Sequence, residues 1–396
     1  MRDLIEKYVS KMVRAGLASA DAPLFGGVDA DLVWNRSDAR CADLEAVIQG
    51  LSVNSLLFCR PAEPYASIVE FLARQALDEA GDGPAAIQPQ DCETRTFLHD
   101  LPVIREFSVP DIIQNLKRRK TVIIPGEGIV TWGTVSPEQA YIFFSSACFA
   151  CFVKFFTQYL KDYREACLVP EQLVVFEKAM GALNSVVQPR GGALPDLMTG
   201  PFENEEAVYA AITQAGRATV DYQLVDSFFG NVSYLYNNTL YISQTTSSLE
   251  ELEGCIDPCP LDGSSCAALT ASSEFTAHRE ILRRTGKRAV LHGHPKFTVI
   301  LSMDCDRLDC PMRGQCMVRC PEKRFIGDIP IVPGEVGTGP WGLANTLPPA
   351  MEGRRGGIVY GHGLFTVGQE DFREAFANLF EIETSCQAMY LKLVGC

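Results

Sequence analysis

The sequence contains no long basic block, no apolar run that reaches the length of a membrane span, and only five histidines in 396 residues. The first absence speaks against nucleic acid as a partner. Lys and Arg number 35 against 49 Asp and Glu, a net charge of −14, and nothing in the chain is suited to track a phosphate backbone. The second speaks against a membrane-embedded chain: the nearest approach, YIFFSSACFACFVKFF at 141–156, follows Ser136-Pro137-Glu138, is too short to span, and reads as a buried helix. The opening MRDLIEKYVSKMVRAGL carries charges throughout and lacks the apolar core of a secretory signal, so a cytoplasmic location is expected. What remains, 47% hydrophobic and 21% charged, is a globular chain long enough for two domains with separate cores.

Cysteine, by contrast, is abundant. Fifteen are present, and without an export signal they are expected as reduced thiols or metal ligands. Those at 255, 259, 266, 305, 310, 316 and 320 form a cluster too dense for composition alone.

Two passages of the chain share a layout. Residues 101–156 and 329–393 each run through a Pro-Val or Pro-Ile strand, a short helical stretch, a β-branched strand ending in Gly-x-Gly, and a long apolar helix. Gly126-Glu127-Gly128 stands in the place of Gly361-His362-Gly363. Upstream, 14–34 corresponds to 220–242, and SLLFCRPAEP corresponds to the AVLHGHPKF that begins at Ala289. Two similar domains are therefore expected, at 1–166 and 203–396, joined by a Pro/Gly-rich linker at 167–202. The first copy has only His99, so any histidine chemistry falls to the second.

That chemistry starts with His292-Gly293-His294. On a strand, side chains two apart share a face, and the glycine between adds no bulk, so two imidazoles can converge on one ion. The alternative is a pair of ordinary strand histidines. His362, between two glycines at the end of another β-branched run, offers a third imidazole, and three leave coordination positions open for water or substrate. Upstream, TASSEFTAHREILRR at 270–284 reads as a helix start. Its N–H groups and the hydroxyls of Ser272 and Ser273 suit an anion, and Glu274 suits a proton acceptor. A plain capped helix fits the same residues. His278, one turn after Glu274, reads as a hydrogen-bonded packing residue. Gly230-Asn231 precedes a hairpin with Asn237-Asn238 as its turn.

Taken in order, Gly230-Asn231-Val232-Ser233, Ser272-Ser273-Glu274, His292-Gly293-His294, the Ile-Pro-Ile-Val-Pro of 329–333 and Gly361-His362-Gly363 resemble the class II aldolase/adducin family, of the fuculose-phosphate aldolase type. The resemblance implies a three-layer α/β/α fold with a mostly antiparallel central sheet flanked by helices, present here as two copies in tandem, the first degenerate. It implies a divalent ion, Zn2+ or Mn2+, Fe2+ or Co2+, on His292, His294 and His362, with Glu274 catalytic and Asn231, Thr245, Ser272 and Ser273 holding a substrate phosphate. A lyase of aldolase type is implied, acting through an enediolate on a small hydroxylated carbonyl compound or sugar phosphate. Epimerisation and dehydration use the same groups, and a non-catalytic adducin-like scaffold uses none of them. Family members assemble as rings of four, so a homo-oligomer is implied, either a dimer of tandem chains or a tetramer.

Two departures bear on the substrate. Thr246 stands where the family commonly has a phosphate-approaching glycine, and no tyrosine occurs from 295 to 333, where the family's proton donor usually lies. In its place is an insert with Cys305, Cys310, Cys316 and Cys320, a candidate second zinc or iron–sulfur site or else a loop of reduced thiols.

Overall fold

The structure is a computed structural model that describes residues 1–185, 194–226, 228–264, 269–307, 309–334 and 337–396. The chain divides into two compact units, Met1–Val186 and Val187–Cys396.

The first unit runs α1 (Arg2–Arg14), β1 (Leu24–Val28), β2 (Leu32–Trp34), α2 (Cys41–Leu51), β3 (Ser55–Cys59), α3 (Tyr65–Ala80), β4 (Ala85–Ile87), α4 (Cys92–Leu98), β5 (Leu101–Val103), α5 (Val109–Leu116), β6 (Thr121–Ile124), β7 (Gly128–Gly133), α6 (Pro137–Arg164) and α7 (Pro170–Ser185). The second runs α8 (Glu205–Asp221), β8 (Asn231–Tyr236), β9 (Thr239–Ser243), β10 (Ile256–Pro260), α9 (Phe275–Thr285), β11 (Ala289–Gly293), α10 (Lys296–Met303), β12 (Arg324–Ile326), β13 (Ile329–Val332), α11 (Leu343–Ala350), β14 (Gly356–Val359), β15 (Gly363–Gly368) and α12 (Phe372–Leu393).

Each unit is built on one sheet, and the two sheets have the same topology. Strand order is β2-β1-β3-β7-β6-β5-β4 in the first and β10-β9-β8-β11-β15-β14-β13-β12 in the second, which adds β10 at one edge. Neighbours are antiparallel except β5–β6 and β13–β14. In the second unit α9 and α11 bury Ile281, Leu282, Leu343, Leu347 and Met351 against Val290, Phe365 and Val367 on one face, while α8, α10 and α12 cover the other. In the first, α2 and α5 take the first role, with Leu44, Ile48, Ile112 and Leu116 packed on Leu56, Val122 and Val130. The expected three-layer fold, twice over, is what the chain adopts.

The correspondence extends to single bonds. Thr131 on β7 pairs with Leu57 and donates to the Ala140 carbonyl at 2.7 Å, and Thr366 on β15 pairs with Leu291 and donates to Ala375 at 2.8 Å. The hairpin turn expected at Asn237-Asn238 is present, both residues having positive φ, 46° and 60°, as a two-residue turn matched to strand twist requires.

Two expectations meet differences. The apolar run at 141–156 is the middle of a 28-residue helix, α6. Length and composition would let α6 cross a membrane, but 78% of its most apolar window is buried inside the unit, the pattern of a core helix. The expected linker at 167–202 holds helix α7, whose Val175, Phe176 and Ala179 are buried; Phe176 stacks on Tyr159 of α6 with ring centroids 4.1 Å apart. Pro and Gly between 189 and 201 marked only the end of that segment, and residues 186–193 lie outside the described part of the chain.

Candidate metal centre

On β11, Leu291 and Gly293 face α12, so Val290 and His292 face α9. His292 pairs in register with Phe365 of β15 and Asn231 of β8, and its ring stacks on Phe365 with centroids 3.8 Å apart and planes within 9°. His294 follows the strand end. His362 sits in the tight β14–β15 turn, its N–H bonded to the Val359 carbonyl at 3.0 Å.

The three rings meet at one point. His292 Nε2 lies 2.9 Å from His294 Nε2 and 3.2 Å from His362 Nε2, and all three residues are buried. Among the described residues this is the one group of three or more His, Cys, Asp or Glu ligand atoms that lie together within 4.8 Å. The approach depends on Gly363: a Cβ there would lie 2.5 Å from the Gly293 carbonyl oxygen and 2.7 Å from His292 Cε1. His292 Nδ1 faces the Leu364 carbonyl at 3.1 Å, an acceptor that keeps the proton on Nδ1 and directs the Nε2 lone pair inward. Burial first, then the neighbouring His292 and His362, holds His294 well below the usual imidazole pKa, so it is neutral. Its Nδ1 is buried with no protein partner while Phe229 stacks against the ring at 5.2 Å. Three converging Nε2 atoms, shielded from water, are a donor set that fits a divalent cation with positions left open once any protons on them are released.

Glu274 joins the group from the start of α9. Its Oε1 is 3.0 Å from His362 Nε2 and its Oε2 is 3.5 Å from His292 Nε2, and Asn231 Nδ2 donates to Oε2 at 2.6 Å. Burial opposes its ionisation, but the two imidazoles and the Asn231 amide outweigh that cost and hold the carboxyl well below the usual carboxylate range. Glu274 itself is the residue before the helix, and no side chain caps α9. Ser272 Oγ instead accepts from the Glu274 N–H at 3.3 Å, so the capped-helix expectation for the serines is corrected. The short side chain turns the chain locally before the helix begins.

The other expected phosphate residues gather less tightly. Ser272 is buried and bonded to the Ser243 carbonyl, Thr245 N–H bonds the Thr270 carbonyl, and the side chains of Thr245 and Ser273 are exposed. Asn231 turns its amide to Glu274, and its Oδ1 is buried without a protein partner. Thr246 has φ 61°, so the backbone takes the left-handed conformation of the glycine it stands in for.

His278 is fully buried, as a packing residue should be. Its Nδ1 is 2.7 Å from Ser233 Oγ, and its ring meets Phe365 edge-on. Among the described residues, no three of the insert cysteines gather their sulfurs within 4.8 Å of one another. Cys305, Cys310, Cys316 and Cys320 are partly exposed thiols on a run of turns, without a strand or helix to converge them, and none is in a disulfide. Cys259 packs with Ile242 and Ala271, and Cys266 lies outside the described residues. Two residues escaped the sequence reading, Ser302 and Glu383. Ser302 Oγ accepts the Gly361 N–H, next to His362, and Glu383 accepts from the backbone just after His294. Both are many residues away in sequence from what they hold, and no local motif marks them.

Residues 210–390 match the family described as Class II Aldolase and Adducin N-terminal domain. Among solved structures, the chain is similar to an L-fuculose-1-phosphate aldolase from Thermus thermophilus, with 26% identity over 47% of this chain and 95% of that one and a TM-score of 0.37. It is also similar to a sugar-phosphate aldolase from Thermotoga maritima, with 17% identity over 48% and 97% and a TM-score of 0.34. A third is the N-terminal class II aldolase domain of a conserved protein from Thermoplasma acidophilum, with 15% identity over 49% and 97% and a TM-score of 0.35. No curated protein matches the chain.

Proposed function

We propose that the protein is a divalent-metal-dependent lyase that cleaves a small hydroxylated carbonyl compound or sugar phosphate, a reading supported by the match of residues 210–390 to the class II aldolase and adducin family model. The observation that carries this reading is the convergence of three imidazole Nε2 atoms beside one ionised, buried carboxylate. When bound by His292, His294 and His362, Zn2+ or a similar divalent ion supplies the Lewis acidity that polarises a substrate carbonyl.

The chain's own residues supply the rest. Glu274, ionised at neutral pH and within reach of the point where the rings meet, takes up a proton from the substrate and returns it. Asn231 fixes the carboxylate by its 2.6 Å bond to Oε2 and so chooses which oxygen faces the substrate. Closure of the site by Phe229 and Phe365 keeps competing water away from the transferring proton. Asn231, Thr245, Ser272 and Ser273 are assigned to the substrate's phosphate or terminal hydroxyl. The second reading, epimerisation or dehydration by the same groups, is favoured by the lack of any tyrosine from 295 to 333 to protonate a leaving carbanion. On the same premise the enzyme acts in the cytoplasm and its chains self-associate as a dimer or tetramer.

Metal quantification on the purified chain, followed by a panel of sugar phosphates and free hydroxyaldehydes monitored for aldehyde release, tests the proposal. Stoichiometric divalent metal with aldehyde release is expected. A metal-free protein whose properties are unchanged by His292→Ala would leave only a scaffold.

A further inference from the structure

Helix α10 touches both sides of the triad. It starts directly after His294-Pro295, and its N-cap residue, Pro295, provides no side-chain acceptor for the unbonded N–H groups of the first turn. Glu383 of α12 provides one instead. Its Oε1 accepts from Phe297 N at 2.8 Å, and its Oε2 accepts from Thr298 N at 2.8 Å and Thr298 Oγ1 at 2.7 Å. In the last turn Ser302, fully buried, accepts the Gly361 N–H at 2.8 Å and donates to the Val299 carbonyl at 2.6 Å. One short helix is thereby tied to the residues that follow one ligand and to the residue that precedes another.

The first unit shows how the same fold differs at these ties. The strand registers that equate Leu57 with Leu291 and Thr131 with Thr366 set Pro64 at the place of Thr298, Ile68 at the place of Ser302, and Cys148 at the place of Glu383. Proline has no N–H to donate, and isoleucine and cysteine offer no comparable acceptor. α3 accordingly begins at Tyr65, three positions later in that register than α10 at Lys296. The Gly126 N–H, equivalent to that of Gly361, goes to the Glu70 carboxylate at 2.6 Å. The first unit thus lacks the tie to the helix start, makes the tie to the turn from a different residue of its helix, and has none of the three histidines.

We propose that Glu383 and Ser302 are positioning residues that, through α10, fix His294 and His362 at the separation a divalent ion requires. A buried hydroxyl costs desolvation that only well-made hydrogen bonds offset, so its placement at this junction is more than filling. The inference rests on reading the triad as a metal site.

The test is zinc affinity of the full chain by chelator competition, with the visible spectrum of the cobalt(II) form as a readout of ligand geometry and apo-protein melting as the measure of stability. Ser302→Ala and Glu383→Leu should each weaken zinc binding about tenfold or more and change the cobalt spectrum, the range expected when the partners of metal ligands are removed. Glu383→Gln, which keeps the shape and one acceptor oxygen, should fall between them and the parent, and it decides the matter together with Ser302→Ala if Glu383→Leu fails to fold. Variants that melt lower but bind zinc and cobalt as the parent does would overturn the positioning role and leave the metal reading standing. A parent protein that binds neither ion would overturn the metal reading, and this inference with it.

Discussion

The two units have nearly the same skeleton and opposite chemistry. Gly128 and Gly363 occupy the same turn, and a Cβ on either would strike the carbonyl oxygen of the equivalent strand residue, Cys59 or Gly293, at 2.5 Å. Asp38 and Ser272 make the same bond to the N–H two residues on, at 2.9 and 3.3 Å. Yet Asn231, Glu274, His278, His292, His294 and His362 are matched in the first unit by Leu24, Arg40, Leu44, Phe58, Arg60 and Glu127. Even the contact between Glu274 and His362 persists with its charges exchanged, as an ion pair of Arg40 with Glu127, the guanidinium lying 3.9 Å over Phe107. The glycines and threonines the two units share are those in close backbone contact, whereas the residues that differ are the ones whose side chains meet at the centre.

The sharpest way to break this comparison is to write the first unit's residue into the second. His292→Phe copies Phe58, and zinc affinity should fall by more than about 100-fold, beyond the loss caused by outer partners alone; chelator competition measures it, and undiminished binding would detach the triad from any metal. Next in size, Glu274→Gln should retain the metal and lose about 100- to 10,000-fold in turnover, the range for a positioned proton-transfer group. Metal content and steady-state rates on one preparation separate the two effects.

A third change concerns acid stability. Burial, with His292 acting in the same direction and Glu274 against, lowers His278 from its ordinary 6.5 to about 3. The unfolded chain therefore takes up this proton before the folded one. Stability from the neutral ring is complete above about 6.5 and declines as pH falls toward 3, at a slope approaching about 1.4 kcal/mol per pH unit. His278→Leu, which copies Leu44, should remove that slope, visible as a flatter dependence of melting temperature on pH in the apo protein. Smallest of all, Arg40→Ala breaks a pair whose side chains are 33% and 32% exposed, and it should cost no more than about 1 kcal/mol by denaturant titration, with metal binding and turnover unaffected.

Much of this was legible in the sequence. The twofold layout follows from the repeat of Gly-x-Gly turns and β-branched runs, and the grouping of the three histidines follows from their place at strand ends next to glycines. Glu274 was found by its neighbours Ser272 and Ser273, although Ser272 shapes the turn and neither serine caps the helix. What stayed hidden depends on tertiary packing. Glu383 lies in a helix rich in charged residues and reads as a surface acid until α12 docks beside α10. The amphipathic pattern of α7 was masked by the Pro/Gly-rich stretch that follows it. The cysteine insert is dense in ligand types, but density does not produce convergence without a strand or helix to aim the sulfurs.

The clearance at Gly128 has a consequence for engineering. The glycine that lets turn and strand meet is kept at Gly128, but histidines at 58, 60 and 127 would have to replace a Phe58 ring packed on Phe107 at 5.7 Å and break the Arg40–Glu127 pair. The obstacle to a second centre is the proline at 64 and the late start of α3, which withhold the rigid mount that the rings would need. The first unit keeps the close approach of turn to strand and lacks the early helix start that mounts the site in the second.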